Sequence, residues 1–466
     1  MRSCTAVCAV AVAVSCSPHK VTRNPAAPIE MRGGYQNAND GAAPPEKWWQ
    51  DFGDEDLDAL VDRALAGNLQ LKGAVARVEQ ARAVANKAGS GKWPQIEANA
   101  SARRSSSRVF FGPQELEFTQ NQYSASVGAG YEVDLFRRIG SAHNAARLQT
   151  SATRDDMEAA AITLVAETAE AWFDLLVHRE RRALLEEQLA TNQIFVELVM
   201  MRFKQGLGAS AVDVFQARSQ VTSTKAQLAI IESLEQVSAY RLAVLVGETP
   251  GSVTLSDRAQ LPALPALPGT GVPADLLLRR PDVRAIRRRV EAADWQVASA
   301  VADRLPKLSL SGDLNTNATD PADLIATPLY TLLANLVAPI FDGGRRAAEV
   351  DRTEAVVDEL SAAFGQVLLG ALLEVESALA LERGQLEQIA QLEAHIEISK
   401  ATLKEARNRY REGITDFLPV LTALRTLHAS EQAVLNARRQ LLSYRVQLCR
   451  ALGGTWTREL KKDEAK

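Results

Sequence analysis

The apolar positions of this chain change their spacing from helical to alternating and back, and the second half repeats the change. The first helical stretch carries Leu57, Leu60, Val61, Ala64 and Leu65 on one face and stops at Gly67-Asn68. A second runs from about 69 to 87 and stops at Gly89-Ser90-Gly91. Then Ile96, Ala98, Ala100 and Ala102 interleave with Glu97, Asn99, Ser101 and Arg103. After a loop, Tyr123, Ala125, Val127, Ala129, Tyr131, Val133 and Leu135 interleave with Gln122, Ser124, Ser126, Gly128, Gly130, Glu132 and Asp134. This alternation predicts strands over about 95–109 and 119–136. A tilted strand crosses bilayer hydrocarbon in about ten residues, so both are long enough to span a membrane. A soluble hairpin with one buried face would alternate in the same way.

From Ser141 to Gln205 there is neither Gly nor Pro, and Ile162, Val165, Ala169, Trp172 and Leu176 keep the three-then-four spacing of a coiled coil. A helix over 141–205 would be on the order of 90 Å long, far more than a globular domain needs. Gly206-Leu207-Gly208 breaks it, and a return helix over 209–246 stops at Gly247. A Pro-rich connector, 248–273, is too poor in donors for helix or central strand. The programme then restarts: a helix from about Val283 to Arg304, strands over about 306–318 and 328–341, a long helix over 345–412 broken at Gly413, and a last helix over 417–452.

The halves 53–247 and 274–454 are therefore copies of one unit. Arg202-Phe203-Lys204-Gln205-Gly206 matches Arg409-Tyr410-Arg411-Glu412-Gly413, Val214-Phe215-Gln216-Ala217 matches Val420-Leu421-Thr422-Ala423, and Leu135-Phe136 matches Ile340-Phe341. Four strands expose two edges and form no closed barrel, so the chain must oligomerise. Three copies of four strands supply twelve, enough for a barrel with an open lumen. On such strands Glu132, Asp134 and Asp313 line the hydrated side.

Composition changes this picture only at the N-terminus. The chain has 466 residues, of which 5% are aromatic, and a formal net charge of −4 with no basic domain, which argues against a nucleic-acid partner. Met1-Arg2, an apolar run from Thr5 to Val14 and Ala13-Val14-Ser15-Cys16 describe an export signal over 1–15. Its ending resembles a lipoprotein signal, which would make Cys16 the lipidated first mature residue; ordinary cleavage nearby is the alternative. Residues 16–52 then form an extended lead segment, and 455–466 a C-terminal tail. With Cys4 and Cys8 removed and Cys16 lipidated, Cys449 is left alone, and no disulfide framework is expected. Outside the signal, no segment is expected to reach the apolar length of a membrane helix, so any span is a β-barrel.

Taken in order, Trp48-Trp49, Asn68, Tyr131-Glu132-Val133-Asp134-Leu135-Phe136, Arg279-Arg280-Pro281-Asp282-Val283, Pro339-Ile340-Phe341-Asp342-Gly343-Gly344 and the breaks at Gly206 and Gly413 resemble the TolC-like outer-membrane factors, in their NodT/OprM-like lipoprotein branch. The resemblance covers essentially the whole mature chain. It implies a mainly α fold with a transmembrane β part: a homotrimer whose twelve-stranded outer-membrane β-barrel continues as an α-barrel tunnel into the periplasm. It also implies a passive efflux duct rather than an enzyme, anchored in outer-membrane lipid and served by a periplasmic adaptor and an inner-membrane pump. The exit duct of a type I protein secretion system, and a soluble periplasmic coiled-coil adaptor or scaffold, are the competing readings.

In the family the entrance is gated at the periplasmic helix-turn ends. Here that implies Leu418 and Phe417 as an apolar constriction, Asp416 and Asp213 as nearby acids, and Gly206 and Gly413 as the tips that meet the adaptor. Core packing at a turn is the bland alternative for Leu418 and Phe417. Thr422 stands where many relatives carry Asp, Tyr131 where Trp is usual and Arg137 where Gly is usual. The five histidines lack metal-ligand spacing, no Ser/His/Asp assembly is visible, and no cofactor motif is present, since Ser90-Gly91-Lys92 lacks the glycine a phosphate loop needs.

Overall fold

The structure, a computed structural model, describes residues 17–31, 33–36, 46–112, 114–271, 273–275, 279–326, 328–454 and 456–457. The expected signal 1–15, Cys16, and the expected tail apart from Trp456 and Thr457 lie outside the described residues. In chain order the elements are α1 (Glu55–Gly67), α2 (Leu69–Ser90), β1 (Gln95–Phe111), β2 (Gln114–Val133), α3 (Arg138–Lys204), α4 (Ala211–Leu245), α5 (Pro281–Asp303), β3 (Lys307–Ala318), β4 (Leu329–Val337), α6 (Arg345–Arg411) and α7 (Leu418–Leu452). They fall into two units: Met1–Pro28, Arg77–Arg154 and Ala285–Gly365 in the first; Ile29–Ala76, Asp155–Arg284 and Gln366–Lys466 in the second.

The first unit holds one antiparallel sheet in the order β1-β2-β3-β4. Residues paired in register share a face, and one face is apolar in six successive rows. From the helix end these are Val133–Leu308–Leu336, Tyr131–Leu310–Ala334, Ile96–Ala129–Gly312–Leu332, Ala98–Val127–Leu314–Tyr330, Ala100–Ala125–Thr316 and Ala102–Tyr123–Ala318. The other face carries Glu132–Ser309–Asn335, Glu97–Gly128–Asp313–Thr331 and Ser101–Ser124–Asn317. On β4 this second face also bears Leu329, Leu333 and Val337, which explains its poor alternation. β4 ends at Val337, short of the expected 341, because Pro339 has no N–H to give a ladder. β1 and β2 instead outrun the sheet: beyond the Tyr123–Ala318 pair they continue alone to Phe111–Gln114.

The turn from β2 into α3 is built by two acids. Asp134 accepts from the N–H groups of Ile139 at 3.0 Å and Gly140 at 2.6 Å, capping the helix, while Glu132 holds Arg138 at 2.8 Å. Just after them Arg137 takes φ 60°, a left-handed conformation that favours glycine. The N-terminal segment lies along α5 of this unit: His19 and the Thr22 N–H meet Asp294 at 2.5 and 2.7 Å, and Val21 packs on Ala145, Trp295 and Ala298.

In the second unit Asp54 is fully buried, caps α1 through the N–H groups of Asp56 and Leu57, and accepts from the Trp172 indole at 2.9 Å. Asn68 performs the same service for α2, accepting from Leu71 N–H at 3.0 Å while its amide donates to Leu245 O at 2.9 Å. Arg280 donates to Asp282 at 2.6 Å, Glu374 at 2.7 Å and Ala451 O at 3.0 Å, so the Arg-Pro-Asp sequence ties the start of α5 to the middle of α6 and the end of α7 within this unit. The Pro-rich connector has its Pro265 and Ala266 carbonyls satisfied by Arg445, which is buried with Glu382 at 2.5 Å. One sequence expectation is corrected here. Helix α6 contains an 18-residue window of mean hydropathy 1.5, enough to cross a membrane by length and composition. Gln366, Glu374 and Glu376 interrupt the apolar residues of this helix, and Leu369 and Leu373 stand exposed on it in the single chain.

Candidate functional site

In the second unit the two glycine breaks are brought together. After α3, Gly206 takes φ 68° and the N–H of Leu207 reaches back to Arg202 O at 2.9 Å; after α6, Gly413 takes φ 79° and the N–H of Ile414 reaches Arg409 O at 2.9 Å. Both are Schellman endings, which need a left-handed residue and so select glycine. The return helices then start differently. Ser210 and Asp213 form a capping box on α4, with the Ser210 N–H donating to Asp213 at 2.7 Å. On α7, Phe417 stands at the N-cap with no side-chain cap, and Pro419 follows in the first turn.

Phe195, Val199, Val214, Ala217, Tyr410, Phe417, Val420, Leu421 and Leu424 close into one buried cluster beneath these turns. Phe417 is only 1% exposed, with ring centroids 5.5 Å from Tyr410 and 6.5 Å from Phe195. Leu418, one residue on, is 54% exposed. It shares with Thr422 the wall of a groove of about 500 Å³ between α6 and α7, whose α6 side includes His395, Ile398 and Thr402. Asp416 is exposed, whereas Asp213 is 9% exposed and spent on its capping box. The acids expected at the entrance are thus in different settings.

Sequence reasoning missed Arg202. Its guanidinium donates to Leu207 O at 2.8 Å in its own turn and to Arg411 O at 3.0 Å in the other, so one cation bonds carbonyls at both helix ends. Helix C-termini carry partial negative charge, which favours a cation there. Burial pushes the Tyr410 phenol up, with Arg202 opposing and Asp213 adding to the rise. The repeated Arg-aromatic-basic-x-Gly motif was the available signal. Glu97 was missed for another reason. Only the register places it in one row with Asp313, whose carboxylate also accepts from Asn315 at 2.8 Å, with Gly128 leaving space between. Glu132 and Asp134 sit together at the entry to α3, Cys16 lies outside the described residues, and among those residues no group of three potential metal ligands occurs.

A strand face of six apolar rows on a polar partner face, joined to paired helices tens of residues long, defines one class of protein: the protomer of an outer-membrane channel. Comparison with known sequences fixes the family. This chain belongs to the outer membrane efflux protein family, whose model matches residues 60–248 and 272–454. It is 32% identical to the pyoverdine export outer membrane protein OpmQ of Pseudomonas aeruginosa over 97% of this chain and 96% of that one. It is 27% identical to the cation efflux system protein CusC of Escherichia coli over 91% of this chain and 89% of the other. The solved outer-membrane channel OprN superposes with a TM-score of 0.87 at 28% identity, covering 95% of this chain and all of that one. The chain is accordingly an outer-membrane efflux channel, a trimer in which a β-barrel is continued by a periplasmic helical tunnel. The members of this family are channels rather than enzymes. The efflux reading is favoured over the secretion duct and the soluble adaptor.

Proposed function

We propose that three copies of this chain form the passive exit duct of a tripartite system, receiving drugs or other small molecules from an inner-membrane pump through a periplasmic adaptor. The observation that carries this reading is the pair of glycine-broken tips held together by Arg202, a joint that can be opened by a partner bearing on Gly206 and Gly413. Leu418 is the apolar constriction and Phe417 the buried base on which it stands. Asp416 supplies exposed acid beside it, and Thr422 and the capped Asp213 contribute no free carboxylate. Glu97, Glu132 and Asp313 line the wet side of the barrel and hydrate the path, whereas Asp134, past the end of β2, is spent on capping α3. Cys16 carries lipid and adds a second attachment to the outer membrane. Relatives named for pyoverdine, toluene and cation export support a duct that takes what its pump delivers. Nucleic acid and cofactors have no part in it.

The test is complementation of a strain lacking its own efflux ducts, scored by drug susceptibility with and without a cognate pump and adaptor. Restored resistance only when all three are present is expected; resistance independent of the adaptor, or none with any pump, sinks the reading. Mass spectrometry of the mature N-terminus checks Cys16, with a diacylglyceryl adduct expected.

A further inference from the structure

The apolar face of the sheet stops at a defined level. Five steps separate its six rows, each two residues along a strand, and at the tilt of an outer-membrane barrel they rise about 25 Å, the height of the lipid-facing band. The last apolar row is Ala102–Tyr123–Ala318, and the next on the same face is Arg104 opposite Asn121. Arg104 therefore stands one row, about 5 Å, above the hydrocarbon edge. It lies on the side away from the helices, because the free β1–β2 hairpin points from that end of the sheet. That is the level of the outer-leaflet headgroups.

Three further observations narrow what it meets. The Arg104 side chain is exposed and, among the described residues, makes no hydrogen bond or ion pair, whereas the acid nearest on its strand pair, Glu117, already accepts from Ser106 at 2.7 Å. Arg103 points to the opposite, lumenal face, so the two adjacent arginines serve different surfaces. Below Arg104, β1 presents Ala102, Ala100 and Ala98 to the lipid before it reaches Ile96, a shallow wall against which an acyl chain can lie under its own headgroup.

We propose that Arg104 binds the phosphate of a phosphorylated glycolipid of the outer leaflet, at three equivalent sites per trimer. The guanidinium fork takes two phosphate oxygens, and the alanine strip of β1 seats the acyl chain. The occupant is a membrane lipid rather than free phosphate, because the site is half charge and half hydrocarbon wall. The arrangement gives the channel a preference among lipids that the apolar band alone lacks.

The wild-type trimer, reconstituted in phosphatidylcholine vesicles containing lipid A, is examined by native mass spectrometry for retained lipid. It is expected to keep lipid A in preference to the same lipid stripped of its phosphates, and inorganic phosphate is not expected to displace it. Arg104→Gln should lower lipid A retention roughly fivefold per site, and Arg104→Glu further. Heat resistance of the trimer and its single-channel conductance should not change in Arg104→Gln. Equal retention of phosphorylated and dephosphorylated lipid by the wild-type protein overturns the proposal without any variant. Displacement by inorganic phosphate, or unchanged retention in Arg104→Gln, overturns it as well. The conductance recorded alongside keeps a failure here separate from a failure of the channel assignment.

Discussion

The guanidinium carbon of Arg202 lies 4.7 Å from the centroid of the Tyr410 ring, a cation stacked on an aromatic contributed by the other half of the repeat. The same guanidinium bonds carbonyls of both turns. Ring, cation and carbonyls hold α3 and α6 together where each ends.

Replacing Arg202 with Ala removes that joint and leaves two helix-end carbonyls without it. A cation–π contact and two charge-assisted bonds at a half-exposed site together supply about 2 kcal/mol. Arg202→Ala should open the tip and raise single-channel conductance in planar bilayers, with Arg202→Lys intermediate. Conductance equal to wild type in both variants would contradict the joint.

Adjacent residues Phe417 and Leu418 should separate packing from gating. Phe417→Ala empties a buried site and should cost about 3 kcal/mol of tunnel stability. Leu418→Ala, at an exposed position, should leave the thermal midpoint unchanged while raising conductance and sensitivity to large antibiotics. If Leu418→Ala lowers the midpoint as much as Phe417→Ala, Leu418 is a packing residue.

The bend between α1 and α2 meets the end of α4 glycine to glycine. A Cβ on Gly247, whose φ is 82°, would lie 2.3 Å from Gly67 O, and one on Gly67 would lie 2.1 Å from Val246 O. Backbone cannot move aside cheaply, so either substitution to Ala should cost on the order of 3 kcal/mol. Gly73→Ala, which meets nothing within 4 Å on helix α2, should instead stabilise by up to about 1 kcal/mol. Circular dichroism melts of the three proteins would show the opposite signs.

His428 is buried on α7, its Nδ1 has no hydrogen-bond partner among the described residues, and burial pushes its pKa down from 6.5 to about 4. The folded protein thus holds it neutral while the unfolded chain takes a proton near pH 6.5. Stability is full above that pH and falls as pH drops toward 4, by on the order of 2 kcal/mol per protomer. His428→Leu should flatten the melting temperature between these values; an unchanged slope would assign acid sensitivity to other groups.

In the barrel, Glu97 and Asp313 share a row, so the trimer carries three of each at one level. A carboxylate ring favours cations in other pores. Neutralising both, Glu97→Gln with Asp313→Asn, should lower the cation-to-anion permeability ratio severalfold by reversal potential, and no change would remove this row from the permeation path.

Periodicity carried the architecture because each period is a local property. Alternation over 122–135 marks a strand, and the absence of Gly and Pro over 141–205 marks a helix, without knowledge of partners. The site was less legible because it is a matter of partners. Glu97 joins Asp313 only through a register three strands wide, and Arg202 becomes a joint only when Arg411 lies beside it. β4 ends short of 341 for a local reason, since Pro339 cannot extend a ladder.

The sheet of a single chain ends at β1 on one side and β4 on the other, each edge with a row of unmet backbone groups. Hydrocarbon offers those groups nothing, so no lone copy can reside in the bilayer. Insertion and assembly are consequently one event in the life of this protein. The rate at which a cell acquires new channels should rise more steeply than its rate of synthesis, and exported copies waiting for two others need protection in the periplasm until they meet.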